Sequence, residues 1–464
     1  MLPPDFRHAV EQIVGPAHVR DDAAALETYA VDSLKRGHLP DLVALPQTTA
    51  EVAAIARLCN GRRVPLVVRG AGTGYTGGAV PVRGGLVISM ERMNRIIEID
   101  THNLLAVVEP NVITGDLQDA VERVGLFYPP DPASLRDSAI GGNVAECAGG
   151  PRAFKYGTTR RYVLALEAVL PTGEVVRTGS KAVKNVVGYD LTQLLVGSEG
   201  TLAIITQIIL RLVPRPPVQS TLRATFSDVH GAVAAVDGLL RDRVVPAALE
   251  LVDRDCLDAV ARYVGASLAP PGTGALLLLE VDGLQESVVE ESRRVERACR
   301  AAGASEILRA DNPGERDALW RVRREMSPAL KVISPSKINH DVVVPRGRVP
   351  DLFDLIDRLR AQFQLRIACF GHAGDGNIHV NMMVAGDDAD QLERAHRAER
   401  SLFEGVIRLE GSISGEHGIG FAKAKYLGIE LSPETIALMK RVKQAFDPNG
   451  ILNPGKIFPE PPEP

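Results

Sequence analysis

"GTGYTGGAVPVRGGLVISM", residues 72–90, decides how the chain is to be read. Its first six residues, Gly72-Thr73-Gly74-Tyr75-Thr76-Gly77, match G-x-G-x-x-G and follow the strand-like run "PLVVRG". That invites a dinucleotide fold, in which a helix begins at the loop and points its N-terminus at a pyrophosphate. The continuation defeats it. Pro81, Gly84 and Gly85 come next, and then a short strand rather than a helix. A Walker loop fails as well, because Gly78 stands where its lysine belongs. The anion chemistry survives both failures. Five glycines in "RGAGTGYTGGA" (69–79) leave backbone N–H groups free to form a nest for a phosphate. The alternative is a flexible surface loop.

Working outward, residues 40–110 alternate strand, helix and strand: "DLVALP", "TAEVAAIARLCNG" and "PLVVRGAG". Thr48 or Thr49 serves as N-cap of the helix and Gly61 closes it. A second helix covers 114–125, and "YVLALEAVLPTGEVV" reads as strand, turn and strand. Pro214, Pro216 and Pro217 mark the strongest boundary. Beyond it, helices at 229–243, 284–302, 348–363 and 388–410 alternate with strands. The fold class is α+β: an N-terminal helical segment (1–35), domains at 36–217 and 218–450, and a tail at 451–464.

Composition narrows the function. The 464 residues carry a net charge of −5, which gives no reason to expect nucleic acid or an anionic membrane. Five scattered cysteines without C-x-x-C spacing suggest a reducing compartment. No signal peptide and no apolar run of membrane-spanning length is visible. The expectation is a cytoplasmic protein, with peripheral membrane attachment only through a partner.

A second feature is "CFGHAGDGNIHVNMM", 369–383. A short apolar strand ends at His372, glycine-rich turn chemistry follows, and 378–384 alternates with His379, Asn381 and Met383 on one face. A hairpin would set the two histidines side by side. They are either polar residues on a wet face or two ligands of a metal that needs a third. "GSISGEHGIG" (411–420) offers Glu416 and His417 between glycines. Two more glycine-rich stretches, 131–159 and 184–206, would let a large flat ligand touch backbone.

In order and wording, "VVRGAGTGYTGGAVP", "GGNVAECAGG", "GYDLTQLLVGSEGTLAIIT", "GHAGDGNIHVN", "GEHGIG" and "GILNPGKIF" resemble the vanillyl-alcohol oxidase flavoproteins with a PCMH-type FAD-binding domain. More narrowly the chain resembles the FAD-dependent D-2-hydroxyacid dehydrogenases: the glycolate oxidase flavin subunit, D-lactate dehydrogenase and D-2-hydroxyglutarate dehydrogenase. The likeness runs from about residue 36 to 458. It implies a PCMH-type domain of two α+β subdomains, then an FAD-linked oxidase C-terminal domain, with the tail returning to the first.

The resemblance also implies roles. Gly72, Thr73, Gly74, Thr76, Gly77 and Gly78 would hold the FAD pyrophosphate. Pro130, Asp131, Ser134, Gly141, Gly142, Asn143 and Ala145 would line the flavin and ribityl chain, with Gly149 and Tyr156 near it. Glu199, Gly200 and Ile205 would face the adenine half, and Asn453 would reach the flavin from the tail. Many relatives attach FAD through a histidine in the first glycine loop. This loop has none, so non-covalent FAD is expected. His372, His379 and Glu416 would bind a divalent metal, zinc first and Mn2+ or Fe2+ second, with His417 as base. Arg323, three residues after Trp320, would bind the substrate carboxylate, helped by Lys337, while Ser327 and Asn381 would contact substrate. His340 departs from the acidic residue expected there.

The implied reaction is oxidation of a D-2-hydroxy acid, glycolate or D-lactate first, to the 2-keto acid, with hydride passing to flavin N5. The acceptor is left open among a quinone, an electron-transfer flavoprotein, an iron–sulfur subunit and oxygen, and the assembly between a homodimer and an oxidase complex. Alternatives are D-2-hydroxyglutarate as substrate, a flavin oxidase of neutral alcohols, and a non-catalytic FAD subunit of an oxidase complex.

Overall fold

The computed structural model describes residues 2–334, 336–386 and 388–459. The chain forms two compact units. The first takes residues up to 149, then 158–215, then the stretch from 416. The second takes 150–157 and 216–415. Among the described residues, no helix is long and apolar enough to cross a membrane.

In the first unit, a four-stranded sheet runs in the order Val19–Arg20, Leu42–Ala44, Leu86–Ser89, Leu66–Arg69, and its last three strands are parallel. Helix Thr49–Arg62 covers it. Thr48 Oγ1 accepts from the Glu51 N–H at 3.2 Å, and the Glu51 carboxylate accepts from the Gln47 N–H at 2.6 Å, so the N-terminal donors are satisfied from both sides. The helix runs one residue past the expected Gly61, and Arg63 turns the chain out at φ +51°. Its inward residues Val52, Ile55, Ala56 and Cys59 share a core with Phe6, Val10 and Val14 of helix Phe6–Val14. Fully burying side chains of this size contributes about 1.5–3 kcal/mol each. A second, antiparallel sheet is ordered Ile96–Asp100, Leu105–Val108, Ile204–Arg211, Val163–Val169, Val175–Gly179. Pro171-Thr172-Gly173 forms the expected turn between its last two strands, where Gly173 N donates to Leu170 O at 2.8 Å. Residues 70–85 contain no helix, so the dinucleotide reading is excluded by structure as well as by sequence.

The second unit is built on seven antiparallel strands in the order Glu306–Arg309, Val218–Phe226, Ala275–Gly283, Ala248–Asp253, Arg366–His372, Asn377–Met383, Ile338–Val343. Helices Arg254–Val264 and Pro313–Ile333 cover one face through Leu257, Val260, Val322 and Met326, packed on Val252, Leu276, Leu278 and Phe370. Helix Arg254–Val264 did not stand out in the sequence. Asp253 caps the first, accepting from Cys256 N at 2.9 Å, and Asn312 caps the second, accepting from Glu315 N at 3.0 Å. Pro328 lies inside the second helix and interrupts its pattern.

Residues 416–450 were expected in the second domain, but they fold into the first unit. The cause is backbone pairing. Phe421 N and Ala422 N donate to Thr76 O at 3.1 and 3.2 Å, and Leu66 pairs with Leu452 as an added strand position. Residues 150–157 belong to the second unit, where the Lys155 ammonium and the Tyr156 hydroxyl both bind the Asp282 carboxylate.

Candidate active site

The cradle of the first unit is made by backbone. Gly77 sits at φ +80°, and a Cβ there would fall 2.0 Å from the Phe421 ring. Thr76 is buried and its Oγ1 donates to His417 O at 3.0 Å, which fixes the glycine loop against the 416–421 segment. The His417 ring stacks on Tyr75, with centroids 5.3 Å apart. Glu199 accepts from Ile419 N at 2.8 Å and Gly420 N at 2.6 Å, although burial pushes its carboxyl up from the usual range. Asn453 Nδ2 donates to Gly78 O at 2.9 Å and Glu199 O at 2.8 Å, tying the tail to the loop. Asn143 Nδ2 donates to Thr114 Oγ1 at 2.7 Å, and Ala145 O accepts from Glu199 N at 2.8 Å.

Other expected members stand around this frame. Pro130 O accepts from Gln118 Nε2 at 2.8 Å, and Ser134 O accepts from Ser138 N at 2.7 Å. Ile205 is buried opposite Ala168 in the second sheet, and Gly200 has φ +64°. A Cβ on Gly149 would lie 2.6 Å from Glu416 Oε2. Tyr156 belongs to the second unit. Two observations fit a cofactor with phosphates and a flat ring system. Among the described residues, a Cβ on Gly142 would meet nothing within 4 Å, so the helix start there is open. Buried Asn111 Oδ1 has no hydrogen-bond partner among the described residues and lies 3.9 Å from the Cβ position of Gly70.

The second unit makes its site from side chains. Strands Arg366–His372 and Asn377–Met383 pair His372 with Asn377 and Phe370 with His379, so the two histidines are diagonal neighbours on one face. Their ring centroids are 5.4 Å apart. On the adjoining strand, Glu250 lies opposite His372. Its two carboxylate oxygens bind different partners: Oε1 contacts His372 Nδ1 and Oε2 accepts from Arg323 Nε. Glu250 has zero exposure. Burial alone would raise its pKa, but the charges of His372 and Arg323 and their hydrogen bonds bring it down to about 2. The Arg323 guanidinium lies over the Phe370 ring, 4.8 Å from its centroid.

Lys337 Nζ donates to Asn381 Oδ1 at 3.3 Å, and burial lowers the Lys337 pKa to about 8. Asn381 also accepts from Asn339 Nδ2 at 2.8 Å and donates to Ala368 O and His379 O, so its amide positions Lys337 within the sheet. Ser327 is half-buried on the Arg323 helix, whereas Arg324 is exposed and pairs with Asp317 at 2.8 Å. His340 points to the opposite face, against Phe403 and 3.1 Å from Glu399. A second acidic group on the histidine face is its neighbour Asp341, directly opposite His379. Asp341 Oδ2 accepts from Gly415 N at 3.0 Å, and a Cβ on Gly415 would lie 2.0 Å from Asn377 Nδ2. The residue that follows this anchored glycine is Glu416.

Glu250 and Asp341 were missed in the sequence. The signal for Glu250 was an acid in the middle of the apolar strand "ALELVD", because a carboxylate at that depth needs a partner. Two imidazoles beside an arginine fork can serve a metal and a carboxylate at once.

Residues 40–179 match the family described as FAD binding domain, and residues 215–457 match FAD linked oxidases, C-terminal domain. The chain is 42% identical over 459 residues to the glycolate oxidase subunit GlcD of Bacillus subtilis (strain 168), covering 99% of this chain and 97% of that protein. It is 37% identical to a D-lactate dehydrogenase of Anaerostipes hadrus, covering 90% of this chain and 89% of that one. A 4-ethylphenol oxidase from Gulosibacter chungangensis shares the fold, with a TM-score of 0.79 at 20% identity, covering 98% and 97% of the two chains.

Proposed function

Because the chain belongs to the FAD-linked oxidases, with an FAD-binding domain followed by the oxidase C-terminal domain, we propose that it oxidises a D-2-hydroxy acid, glycolate or D-lactate first, to the 2-keto acid. The observation that carries this reading is the Arg323–Glu250–His372 row beside His379. It sets a carboxylate-binding fork next to imidazoles suited to a divalent metal.

Arg323 and Lys337 hold the substrate carboxylate. His372, His379 and Glu416 hold the metal, with zinc the first choice and Mn2+ or Fe2+ the second. His417 takes the proton of the substrate hydroxyl, since imidazole accepts protons near neutrality. When bound, FAD supplies the hydride acceptor at N5 and the metal a Lewis acid for the hydroxyl. FAD is held without a covalent link, in the 72–78 loop and the 141–145 helix start, because the loop has no histidine.

All five cysteines are free thiols and four are buried, which supports a cytoplasmic setting. The Bacillus subtilis relative is named a glycolate oxidase subunit, and this chain would pass its electrons to a partner subunit. The test is anaerobic titration of the yellow protein with glycolate, D-lactate, L-lactate and a neutral alcohol. D-lactate or glycolate should bleach the flavin, and bleaching by L-lactate or the alcohol alone would overturn the assignment.

A further inference from the structure

We propose that Glu250 is a positioning residue that sets two parts of the site with one carboxylate: it fixes which nitrogen of His372 is offered to the metal, and it aims the fork of Arg323 at the substrate carboxylate. This rests on the reading of the site given above and goes beyond it, because Glu250 itself touches neither ligand.

Glu250 sits mid-strand in Ala248–Asp253, where every residue is buried, and has zero exposure. An ionised carboxylate there costs several kcal/mol unless each oxygen is compensated. Both oxygens are, and by groups far apart in sequence: Arg323 Nε on Oε2 and His372 Nδ1 on Oε1. A carboxylate can only accept, so Nδ1 must carry the proton. The lone pair of His372 is then left on Nε2, as a metal ligand requires. The same logic holds for Arg323. With Nε taken and the guanidinium plane laid on Phe370, the terminal nitrogens are the donors that remain for a ligand. Phe370 in turn contacts His379, with ring centroids 5.0 Å apart, so the arginine and both histidines form one packed layer.

Glutamine at this position cannot do both tasks. If its oxygen accepts from Arg323, its NH2 faces His372 Nδ1, which must then accept. That moves the imidazole proton to Nε2, the nitrogen needed by the metal. If the amide flips, NH2 faces the N–H of Arg323 instead.

The experiment uses flavin-loaded full-length protein with two probes: zinc alone, in competition with a chromogenic chelator, and oxalate, followed by perturbation of the flavin spectrum. Glu250→Gln should weaken zinc by about ten- to a hundredfold and weaken oxalate as well. Glu250→Asp keeps the charge but is one methylene short, and should lose part of both. It also covers failure of the glutamine variant to fold. A merely structural role would lower the thermal midpoint while leaving both affinities of the flavin-loaded protein unchanged, and that result overturns the proposal. Wild-type protein that takes up no zinc would overturn the metal reading itself. Zinc bound alike by wild type and both variants would overturn only the role of Glu250.

Discussion

The glycine loop of the first unit and the polar sheet face of the second solve opposite problems. The loop works by lacking side chains: Gly77 has φ +80° and no room for a Cβ against Phe421. The sheet face works by crowding side chains that would be costly alone, with Glu250, Asp341 and Asn381 all at zero exposure and each hydrogen-bonded. A backbone site tolerates no addition where the glycine is packed, as Gly77 is on Phe421. A side-chain site tolerates exchange, at a cost set by the partner that is left unpaired. Substitutions in the two regions should therefore fail in different ways.

The largest effect is expected in the loop. Gly77→Glu puts a side chain into the Phe421 ring and a negative charge into the phosphate nest, so the purified variant should be colourless. Flavin absorbance checks this, and a yellow variant would show that the nest lies elsewhere. Next comes His417→Ala, which should slow anaerobic flavin reduction by about a hundred- to ten-thousandfold while FAD and zinc contents stay near wild type. His372→Ala should instead lose the zinc. Loss of zinc in both would make His417 a ligand rather than a base.

A smaller, graded effect is expected from Lys337. Burial holds its pKa at about 8, below the ordinary lysine value. Its charge is therefore present below that pH and lost as pH rises through it. Oxalate affinity should fall across that range and level off at the contribution of Arg323. Lys337→Met should bind more weakly at low pH and show no such step. A step unchanged in the variant would assign it to another group. The smallest effect is outside both regions: Thr48→Ala removes the cap of helix Thr49–Arg62 and should cost about 1 kcal/mol. It should lower the thermal midpoint slightly with flavin reduction by substrate unchanged.

The same contrast explains what could be read from the sequence. A backbone site writes itself locally, because each glycine and the missing helix after Gly77 are visible in one stretch. The hairpin was legible for the same reason, since alternation fixes which residues share the His379 face. Glu250 was not, because its partners lie 73 and 122 residues away. The placement of 416–450 was hidden in the same manner. It depends on Thr76 accepting from Phe421 and on Leu66 pairing with Leu452, contacts that no local pattern announces. Helix Arg254–Val264 is a different lesson. Its Asp253 cap and its end at Gly265, φ +75°, were both local signals, but an eleven-residue helix between two strands was passed over.

The central claim is that the histidine face acts on a hydroxy acid through a bound metal. The most direct test is the rate of anaerobic flavin reduction by D-lactate in protein as purified, after removal of metal by chelator, and after zinc is restored. The account predicts that reduction is lost on stripping and regained with about one zinc per chain, as three protein ligands with open positions imply. Stripped protein that reduced its flavin at the original rate would contradict it.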